Sequence, residues 1–478
     1  MRQKRVEKNK KGVAVSLTAV LLLSCLLFAT PNPLRALLLA WSAAGSQVGG
    51  EYGYALATVD VNGDNFDDLI VGAPRFDNGQ TRGGAAFLFH GSAGGLNSQP
   101  AWSAGSDLTG ARYGFAVAVG DVNGDSYGDV LIGAYRSNQG QPEEGRVYLY
   151  LGSAQGLPAA ATWTYESNQK EAQLGYSIAG GGDVNGDGFD DVLVGARWYS
   201  DTLSHEGAAF LFLGSAAGLS GTPDWTAVGG QTNAAFGTAI ALVGDVNGDG
   251  YDDVAVGAPF YDGALVDEGA VFLFLGGSSG PGGTADQTIR GGQANSLFGA
   301  AITAADFNQD GQSDMMVGAP YFDGAADNEG AVFLYPGSGQ GVGDTAVWSA
   351  FSGQTGARFG TAVSAGHVNG DALPDLLIGA PQYTHDQSLE GSVFLYLGIS
   401  GGISANANWI GEGNKAESAY GFSADLAGDV NGDGYNDPAI GAPQHRINRD
   451  IVGRAFVYFG AEQLADTYVV YLPVIDKE

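Results

Sequence analysis

Cysteine is almost absent from this chain of 478 residues, since Cys25 is the only one. It lies within an apolar run at residues 13–29, near the N-terminus. A single thiol cannot form an internal disulfide, and the chain beyond that run has no cysteine nucleophile. The sequence therefore predicts a fold that something other than disulfides holds together.

Basic side chains are also scarce. The chain has 21 Lys and Arg against 52 Asp and Glu, which gives a formal net charge of −31 at pH 7. Nucleic-acid binding depends on Lys and Arg that neutralise phosphates, so we expect no nucleic-acid partner. The five histidines show no recognisable catalytic spacing, and no HExxH motif accompanies them.

Long apolar runs are absent apart from residues 13–29, which follow six Lys and Arg and precede Pro31 and Pro33. This layout is typical of a secretory signal peptide at residues 1–30, and it predicts a secreted or cell-surface protein. Two alternatives stay open, an uncleaved N-terminal anchor and lipidation at Cys25, because residues 22–25 loosely resemble a bacterial lipoprotein box. Removal of residues 1–30 leaves 15 basic against 51 acidic side chains, a net charge of −36.

Glycine and aromatic residues are abundant. The chain has 79 Gly, 23 Phe, 21 Tyr and 7 Trp, and 44% of its residues are hydrophobic. This composition favours packed sheets with many tight turns over disorder. The length exceeds that of one ordinary core, which makes an internal repeat the first pattern to test.

One unit recurs seven times, marked by Asp-Val-Asn-Gly-Asp or a close variant that begins at residues 60, 121, 183, 245, 306, 367 and 429. The intervals are 61 or 62 residues. An aromatic-Gly pair precedes each acidic loop, except that Leu174-Gly175 takes its place in the third unit. A β-rich stretch ending in Gly-Ala-Pro or a variant follows the loop, and then a third apolar strand. A fourth segment carries a tryptophan in six of the seven cases: Trp41, Trp102, Trp163, Trp225, Trp348 and Trp409.

Four short strands per unit are typical of a propeller blade. We predict an all-β fold, a seven-bladed β-propeller of four-stranded antiparallel blades over residues 41–460. The segment around Trp41 should supply the outer strand of the last blade, so that the N- and C-terminal segments pair and close the ring. Residues 461–478 should add an extra strand or tail, with the strand at residues 467–475.

The acidic loops offer a cage of hard oxygen ligands. Positions 1, 3, 5 and 9 carry side-chain oxygens, position 7 can offer its carbonyl, and Gly at position 6 permits a sharp, often left-handed turn. Calcium takes six to eight such oxygens and tolerates irregular geometry. The predicted ligands are Asp60, Asn62, Asp64 and Asp68; Asp121, Asn123, Asp125 and Asp129; Asp183, Asn185, Asp187, Phe189 and Asp191; Asp245, Asn247, Asp249, Tyr251 and Asp253; Asp306, Asn308, Asp310 and Asp314; Asn369, Asp371 and Asp375; and Asp429, Asn431, Asp433, Tyr435 and Asp437.

The seven loops are not equivalent. The sixth begins with His367 and contains Ala372 and Pro374, so we expect its site to be weak or empty. Asn65 and Ser126 replace the glycine at position 6 in the first two loops. The sequence predicts about four to seven bound calcium ions that stabilise the fold. The alternative for any single loop is an Asx turn that needs no metal.

The loops that join the second strand to the third vary most between units, and they should lie opposite the calcium loops. Aromatic rings and Arg are the residues that protein- and sugar-binding surfaces use. The candidate ligand-binding residues are Arg136, Arg197, Trp198, Tyr199, Phe260, Tyr261, Tyr321, Phe322 and Tyr383. The alternative is that these rings pack between blades. The aromatic residue of each aromatic-Gly pair is likewise expected in the core rather than in an axial cup.

The aromatic-Gly pair, the acidic loop and Gly-Ala-Pro together resemble the FG-GAP repeat, the unit of the integrin α-subunit propeller. The resemblance covers residues 41–460. It implies calcium in hairpin loops on the lower face, ligand contacts on the upper face and a role in extracellular adhesion. This chain departs by carrying the acidic loop in all seven units and by lacking the leg domains, membrane helix and inserted domain of integrins. A monomeric, stand-alone module is therefore expected rather than an integrin-type heterodimer.

Three function classes stay open at this point. We expect a non-enzymatic adhesion or ligand-recognition module for an extracellular protein or glycan. A secreted glycosidase or polysaccharide lyase is the first alternative, since propellers can host paired carboxylates near their axis. However, Glu144, Glu206, Glu268, Glu329 and Glu390 recur with the repeat, which favours a structural hydrogen bond over catalysis. A purely structural surface protein is the second alternative.

Overall fold

The computed structural model describes residues 37–426, 428–462 and the backbone of 471–472. The predicted signal peptide or anchor, Cys25 and most of the C-terminal tail lie outside these residues. The described residues contain no helix, and therefore none long and apolar enough to cross a membrane. Their strands form seven blades of four antiparallel strands, and the sixth blade has a fifth, parallel strand. This confirms the predicted all-β propeller.

Each blade is numbered from the N-terminus, and its strands run from inner to outer. The strands of blade 1 are Leu56–Val59, Asp68–Ala73, Ala85–Phe89 and Trp102–Gly105. Those of blade 2 are Ala116–Gly120, Asp129–Ala134, Arg146–Tyr150 and Trp163–Glu166. Those of blade 3 are Leu174–Gly182, Asp191–Ala196, Ala208–Phe212 and Trp225–Val228. Those of blade 4 are Ala239–Leu242, Val254–Ala258, Ala270–Phe274 and Gln287–Arg290.

The remaining three blades repeat this order. The strands of blade 5 are Ala301–Ala305, Asp314–Ala319, Ala331–Tyr335 and Trp348–Phe351. Those of blade 6 are Ala362–Gly366, Asp375–Ala380, Ser392–Tyr396 and Trp409–Glu412. Those of blade 7 are Ser423–Asp425, Ala439–Ala442, Arg454–Phe459 and, from the N-terminal end, Leu38–Ala44. Three loops contain a small hairpin of two two-residue strands: Gly337–Ser338 with Gly341–Val342, Gly398–Ile399 with Gly402–Ile403, and Arg446–Ile447 with Asp450–Ile451.

The antiparallel order gives the ring two distinct faces. Inner strands run toward the acidic loops, so these loops and the connections between third and outer strands share one end, the lower face. The aromatic-Gly turns and the loops between second and third strands share the other end, the upper face. The sequence therefore separates its two candidate functional regions on opposite faces of one scaffold.

The core lies between neighbouring blades. Second strands such as Asp191–Ala196 are completely buried, because strands flank them on both sides and neighbouring blades cover both faces. The tryptophan at the start of an outer strand packs edge-on against a third-strand aromatic ring of the next blade. Trp163 and Phe212, for example, have ring centroids 5.1 Å apart, and Trp163 Nε1 donates a hydrogen bond to Ser220 O at 2.8 Å. In blade 4, Gln287 replaces the indole and donates to Val342 O at 2.8 Å.

The ring closes as the sequence predicted. Leu38–Ala44 pairs antiparallel with Arg454–Phe459, from Leu38 opposite Phe459 to Ala44 opposite Arg454. Trp41 then contacts blade 1 in the same way as the other tryptophans, with its ring 4.9 Å from that of Phe89 and its Nε1 donating to Asn97 O. The outer strand of blade 6 also has a parallel neighbour, Tyr471–Leu472, which pairs with Ile410 and Gly411.

Candidate functional site

The acidic loops form seven hairpin turns on the lower face, and blade 3 illustrates their geometry. Asp183 at position 1 accepts backbone N–H groups from three later positions. Its Oδ1 takes those of Gly186 at 2.7 Å and Asp187 at 3.1 Å, and its Oδ2 takes that of Gly188 at 2.8 Å. One carboxylate thus satisfies most of the turn's donors. Gly188 has a φ of 88°, the left-handed conformation predicted for position 6.

The next two candidate ligands also accept local N–H groups. Asn185 Oδ1 accepts from the N–H of Asp187 at 3.0 Å, and Asp187 Oδ1 accepts from that of Phe189 at 3.1 Å. At the tip of the hairpin, Asp187 is exposed and Asn185 is half-buried. Each carboxylate oxygen has about two acceptor sites, so these bonds leave room for a further partner.

Position 9 is different because its carboxylate is buried at the base of the loop. Asp191 Oδ2 accepts from Val184 N at 2.8 Å, and Oδ1 accepts from Gly214 N at 2.8 Å, just after the third strand. Burial raises the pKa of Asp191 to about 7, although both backbone donors act to lower it. The same pair of bonds recurs in every blade, at Asp68, Asp129, Asp191, Asp253, Asp314, Asp375 and Asp437. Position 9 therefore ties three strands of a blade together.

The donor set of every loop except the sixth fits calcium chemically. Its side chains are carboxylates and an amide, which are the hard oxygen ligands that calcium prefers. Within the described residues, however, no three His, Cys, Asp or Glu side chains converge so as to hold a metal ion. The carboxylates are instead turned toward backbone N–H groups. The ligands predicted from sequence thus share a turn in each blade, and calcium binding remains a prediction.

The sixth loop lacks the central acceptor. His367 replaces the aspartate at position 1, and its Nδ1 lies 3.1 Å from Leu373 O within the same loop. Ala372 at position 6 nevertheless has a φ of 63°, a left-handed conformation that costs a non-glycine residue about 1–2 kcal/mol. Asn369 Oδ1 still accepts from Asp371 N at 3.2 Å. The loop keeps its shape while losing the side chain that organises it in the other blades.

Sequence reasoning missed the bonds that join neighbouring loops. In four of the seven blades, the side chain at position 8 accepts the backbone N–H of position 1 in the preceding blade. Gly128 and Ser313 instead donate their backbone N–H to the position 1 carbonyl of the preceding blade, and Gln309 Nε2 donates to Ala372 O between blades 5 and 6. Asp190 Oδ2 accepts from Asp121 N at 2.7 Å, and Asp67 Oδ2 accepts from Asp429 N at 2.6 Å across the closure of the ring. The second acidic residue in the Asp-Asp pairs was the available signal. The loops form a connected ring, not seven independent turns.

The recurring glutamates on the upper face have the structural role that their repetition indicated. Glu206 Oε1 accepts three backbone N–H groups of the preceding loop, those of Asp201, Thr202 and Leu203, at 2.8–3.0 Å. Glu390 accepts three in the same way. All five glutamates are at most 2% exposed. These carboxylates organise loops and are not presented to a substrate.

Four of the candidate ligand-binding residues pack between strands. The ring centroids of Tyr199, Tyr261, Phe322 and Tyr383 lie 5.3–5.4 Å from those of third-strand phenylalanines. This agrees with the alternative stated from the sequence, that these rings pack between blades. Two of the other candidates are more exposed, Trp198 at 37% and Phe260 at 42%. Arg136 forms an ion pair with Glu143. Tyr321 is covered by the guanidinium of Arg358. Arg197 contacts both Trp198 and Tyr176.

The aromatic residue of each aromatic-Gly pair is core, at most 5% exposed from Tyr52 to Tyr420. The residue after the glycine instead gives a half-buried ring cluster near the axis, which sequence reasoning did not identify. Tyr54 lies 4.7 Å from both Phe115 and Phe422, and Phe115 lies 4.9 Å from Tyr176, measured between centroids. Blades 4, 5 and 6 have small residues at this position: Thr238, Ala300 and Thr361. The upper face therefore has an aromatic half and a small-residue half.

Charge is divided between the faces. All 13 Lys and Arg within residues 37–462 lie in upper-face connections or at the upper end of a strand. The lower face carries the seven acidic loops, and it has no Lys or Arg within residues 37–462. The scarce basic side chains are thus concentrated where the loops vary.

Comparison with known proteins matches the same repeat. The FG-GAP repeat matches residues 52–89, 113–150, 174–212, 236–274, 298–335 and 359–396. Integrin alpha-5 of Xenopus laevis is 30% identical over 226 residues, which cover 45% of this chain and 20% of that protein. Integrin alpha-V of Gallus gallus is 34% identical over 167 residues, which cover 33% of this chain and 16% of that protein.

One relative bears the name of an enzyme. Phosphatidylinositol-glycan-specific phospholipase D of Homo sapiens is 32% identical over 305 residues, which cover 57% of this chain and 35% of that protein. The chain spans 35% or less of each of these three relatives. A solved exotype rhamnogalacturonan lyase superposes on 79% of the chain with a TM-score of 0.40 and 13% identity, too weak a likeness to support an inference.

Proposed function

Because the chain belongs to the FG-GAP repeat family, we propose that it is an extracellular, calcium-binding β-propeller that recognises a protein or glycan ligand. The integrin and phospholipase D relatives support an extracytoplasmic location. We further propose that the mature module is monomeric and non-enzymatic. It reaches its location through the N-terminal segment, whether this is a signal peptide or an anchor.

The observation that carries the proposal is the in-register repetition of the acidic loops. In six of the seven loops, three aspartates lie within nine residues, at positions 1, 5 and 9. Carboxylates crowded in one turn repel one another, and a divalent ion offsets that repulsion. When bound, calcium would supply this charge and bridge the hairpin. The aspartates at positions 1, 5 and 9, the asparagine at position 3 and the carbonyl at position 7 would hold it.

The chain's own residues divide the work between the faces. The position 9 aspartates brace three strands, and hydrogen bonds between neighbouring loops connect these loops into a ring. A rigid lower ring then fixes the relative positions of the upper loops, which carry the exposed aromatic and basic side chains. Recognition sites of this kind depend on a scaffold that holds variable loops in place.

The alternatives are an enzyme and a purely structural protein. The recurring glutamates do not favour a glycosidase or a lyase, because their oxygens accept loop N–H groups in the interior. Five of the seven blades carry Pro after Gly-Ala whereas blades 2 and 3 carry Tyr135 and Arg197, a departure that a purely structural ring would not need. A recognition module accounts for both features.

The proposal is tested by thermal unfolding of residues 31–478 with calcium, with EGTA and with magnesium, and by calorimetric counting of bound ions. We expect about four to seven bound calcium ions. We also expect a calcium-specific rise in the melting temperature of roughly 10 °C or more. Equal melting in calcium and EGTA would refute the calcium role and leave seven Asx-turn hairpins. Magnesium serves as the matched control, because it demands a smaller, octahedral site.

A further inference from the structure

Blades 2 and 3 depart from the repeat at one upper-face position. In five blades, proline follows the Gly-Ala that ends the second strand: Pro74, Pro259, Pro320, Pro381 and Pro443. Blades 2 and 3 instead carry Tyr135 and Arg197. Since proline satisfies the fold in the other five blades, the fold does not require these two side chains. Their position points to a ligand.

Tyr135 extends the axial aromatic cluster. Its ring centroid lies 4.3 Å from that of Phe115 and 5.5 Å from that of Tyr176. With Tyr54, these rings form a continuous, half-buried aromatic shelf, defined as Tyr54, Phe115, Tyr135 and Tyr176. Such rings offer apolar faces with hydroxyl groups at their edges, which suits the flat apolar faces of sugar rings.

Arg197 is fixed beside this shelf through one side of its guanidinium. Its Cζ lies 3.8 Å from the ring centroid of Tyr176, and its Nε donates to Gln173 Oε1 at 2.8 Å. Gln173 is 2% exposed and donates in turn to Glu143 Oε2. The two terminal amino groups of Arg197 have no acceptor in the part of the chain that the structure describes. A guanidinium held in this way is prepared for a bidentate carboxylate contact.

A second basic group lies on the blade 1 side of the shelf. Arg75 pairs with Glu51 at 2.8 Å, and the charges of Arg82 and Arg112 also act on Glu51. Burial lowers the pKa of Arg112, which is 9% exposed, and the charges of Arg75 and Arg82 lower it further. Arg75 therefore holds the one carboxylate by an ion pair, and Arg82 and Arg112 add positive charge around it. This group of arginines occurs in a chain with a net charge of −31.

We propose that this arginine–aromatic surface, the shelf together with Arg75, Arg82, Arg112 and Arg197, binds a polysaccharide whose sugar rings carry carboxylate groups. The inference rests on the proposed recognition function and names its ligand class. Sugar rings stack on the aromatic shelf, while carboxylates pair with the guanidinium groups on either side. An acidic peptide would use the arginines and leave the rings uncovered, and a neutral glycan would leave the arginines unpaired.

The first experiment is calorimetric titration of residues 31–478, saturated with calcium, against uronate oligosaccharides. Hyaluronate, galacturonate and mannuronate oligomers are each compared with their carboxyl-reduced forms, which keep the sugar rings and lose the charge. We expect at least one uronate to bind about 10- to 100-fold more tightly than its reduced form, the range of one charge-assisted contact. Binding of all three uronates no tighter than their reduced forms would overturn the proposal.

Variants test the location. Arg197→Gln should weaken uronate binding about tenfold or more, since one guanidinium contact is lost. Arg358→Gln is the matched control. Arg358 also stacks on a tyrosine of the upper face and has no ion pair among the described residues, but it lies on the small-residue half. Equal losses in both variants would show a nonspecific charge effect and overturn the site. Tyr135→Pro, which restores the repeat, should lose affinity while keeping its melting temperature.

Two further arms separate the ways in which the inference can fail. An oligoglutamate peptide of matched charge should bind more weakly than the uronate, and tighter binding would replace the polysaccharide with an acidic peptide. Calcium-dependent melting is measured on the same samples. Calcium stabilisation without uronate binding overturns this ligand class alone, whereas melting that is independent of calcium overturns the calcium role of the proposed function.

Discussion

The lower and upper faces of this ring are built by the same repeat but obey different rules. On the lower face, the same side-chain oxygens accept the same backbone N–H groups in blade after blade, as Asp183 and Asp245 do. On the upper face, the position that follows Gly-Ala holds proline, tyrosine or arginine. Apart from the sixth loop, one face is uniform, and the other varies around the ring.

The difference separates what the scaffold needs from what a ligand needs. A substitution on the lower face breaks bonds on which strands and neighbouring blades depend, so repetition there reflects stability. The upper positions tolerate exchange because proline already satisfies the backbone. Residues that depart from the repeat, such as Tyr135 and Arg197, are therefore the best candidates for recognition.

The largest expected effect is a pH dependence that involves the whole lower face. Burial raises the pKa of position 9 aspartates from the ordinary 3.8 to about 7 in Asp129, Asp191, Asp253, Asp375 and Asp437. A carboxyl group with a raised pKa stabilises the fold in its protonated form, and that stability is lost as pH rises through about 6–7. In EGTA, we expect the melting temperature to fall by roughly 10 °C between pH 5 and pH 8.

Calcium should reverse this slope, since it binds the deprotonated carboxylates. Differential scanning calorimetry at matched ionic strength measures both series. A melting temperature in EGTA that stays constant or rises over this range would contradict the assignment. Upper-face substitutions such as Tyr135→Pro should leave the slope unchanged.

The next effect compares two aspartates of one loop. Asp191→Ala would leave the buried N–H groups of Val184 and Gly214 without an acceptor, so we expect a loss of about 2–6 kcal/mol in unfolding free energy. Asp187→Ala removes two exposed bonds, those from Phe189 N and Asn185 Nδ2, whose donors water can reach, and it should cost less than about 1.5 kcal/mol. Urea titration in EGTA measures both. Equal losses of unfolding free energy in the two variants would show that the position 9 aspartate contributes no more to stability than the exposed one.

The third effect concerns the sixth loop, where the lower face departs from its own rule. His367→Asp combined with Ala372→Gly restores the acceptor at position 1 and relieves a left-handed alanine. We expect a gain of about 1–2 kcal/mol and one additional calcium ion. Ser126→Gly is the control, because it relieves a φ of 69° in a loop that already has Asp121. A repaired loop that binds no additional ion would contradict the assigned ligand set.

The smallest expected effect on stability is on the upper face. Neither Tyr135 nor Arg197 donates its backbone N–H to another described residue, so proline at either position removes no hydrogen bond. We expect Tyr135→Pro to change the unfolding free energy by less than about 1 kcal/mol. A loss of several kcal/mol in urea titration would show that this departure serves the fold, and it would weaken the contrast between the faces.

Much of the scaffold could be predicted because its signals are local and repeated. The spacing of the acidic loops gave seven blades, and Trp41, lying ahead of the first loop, gave the closing strand. The site was less accessible. The contacts of Phe115 with Tyr54 and with Tyr176 join neighbouring blades only through the curvature of the ring. The bond from Asp429 N to Asp67 spans 362 residues. The repeat gives the period of the blades, but it does not show which rings and carboxylates the closed ring brings into contact.

The closing strand also determines how the ring bears mechanical load. Leu38 and Phe459 lie opposite each other at the lower end of the closing pair. A force that pulls the two chain ends apart would open this pair from that end, one hydrogen bond at a time. A force between the N-terminal end and a ligand held on the upper face would instead draw Leu38–Ala44 lengthwise and load all of its bonds together. A protein tethered through its N-terminus would therefore resist traction along the direction in which its ligand pulls.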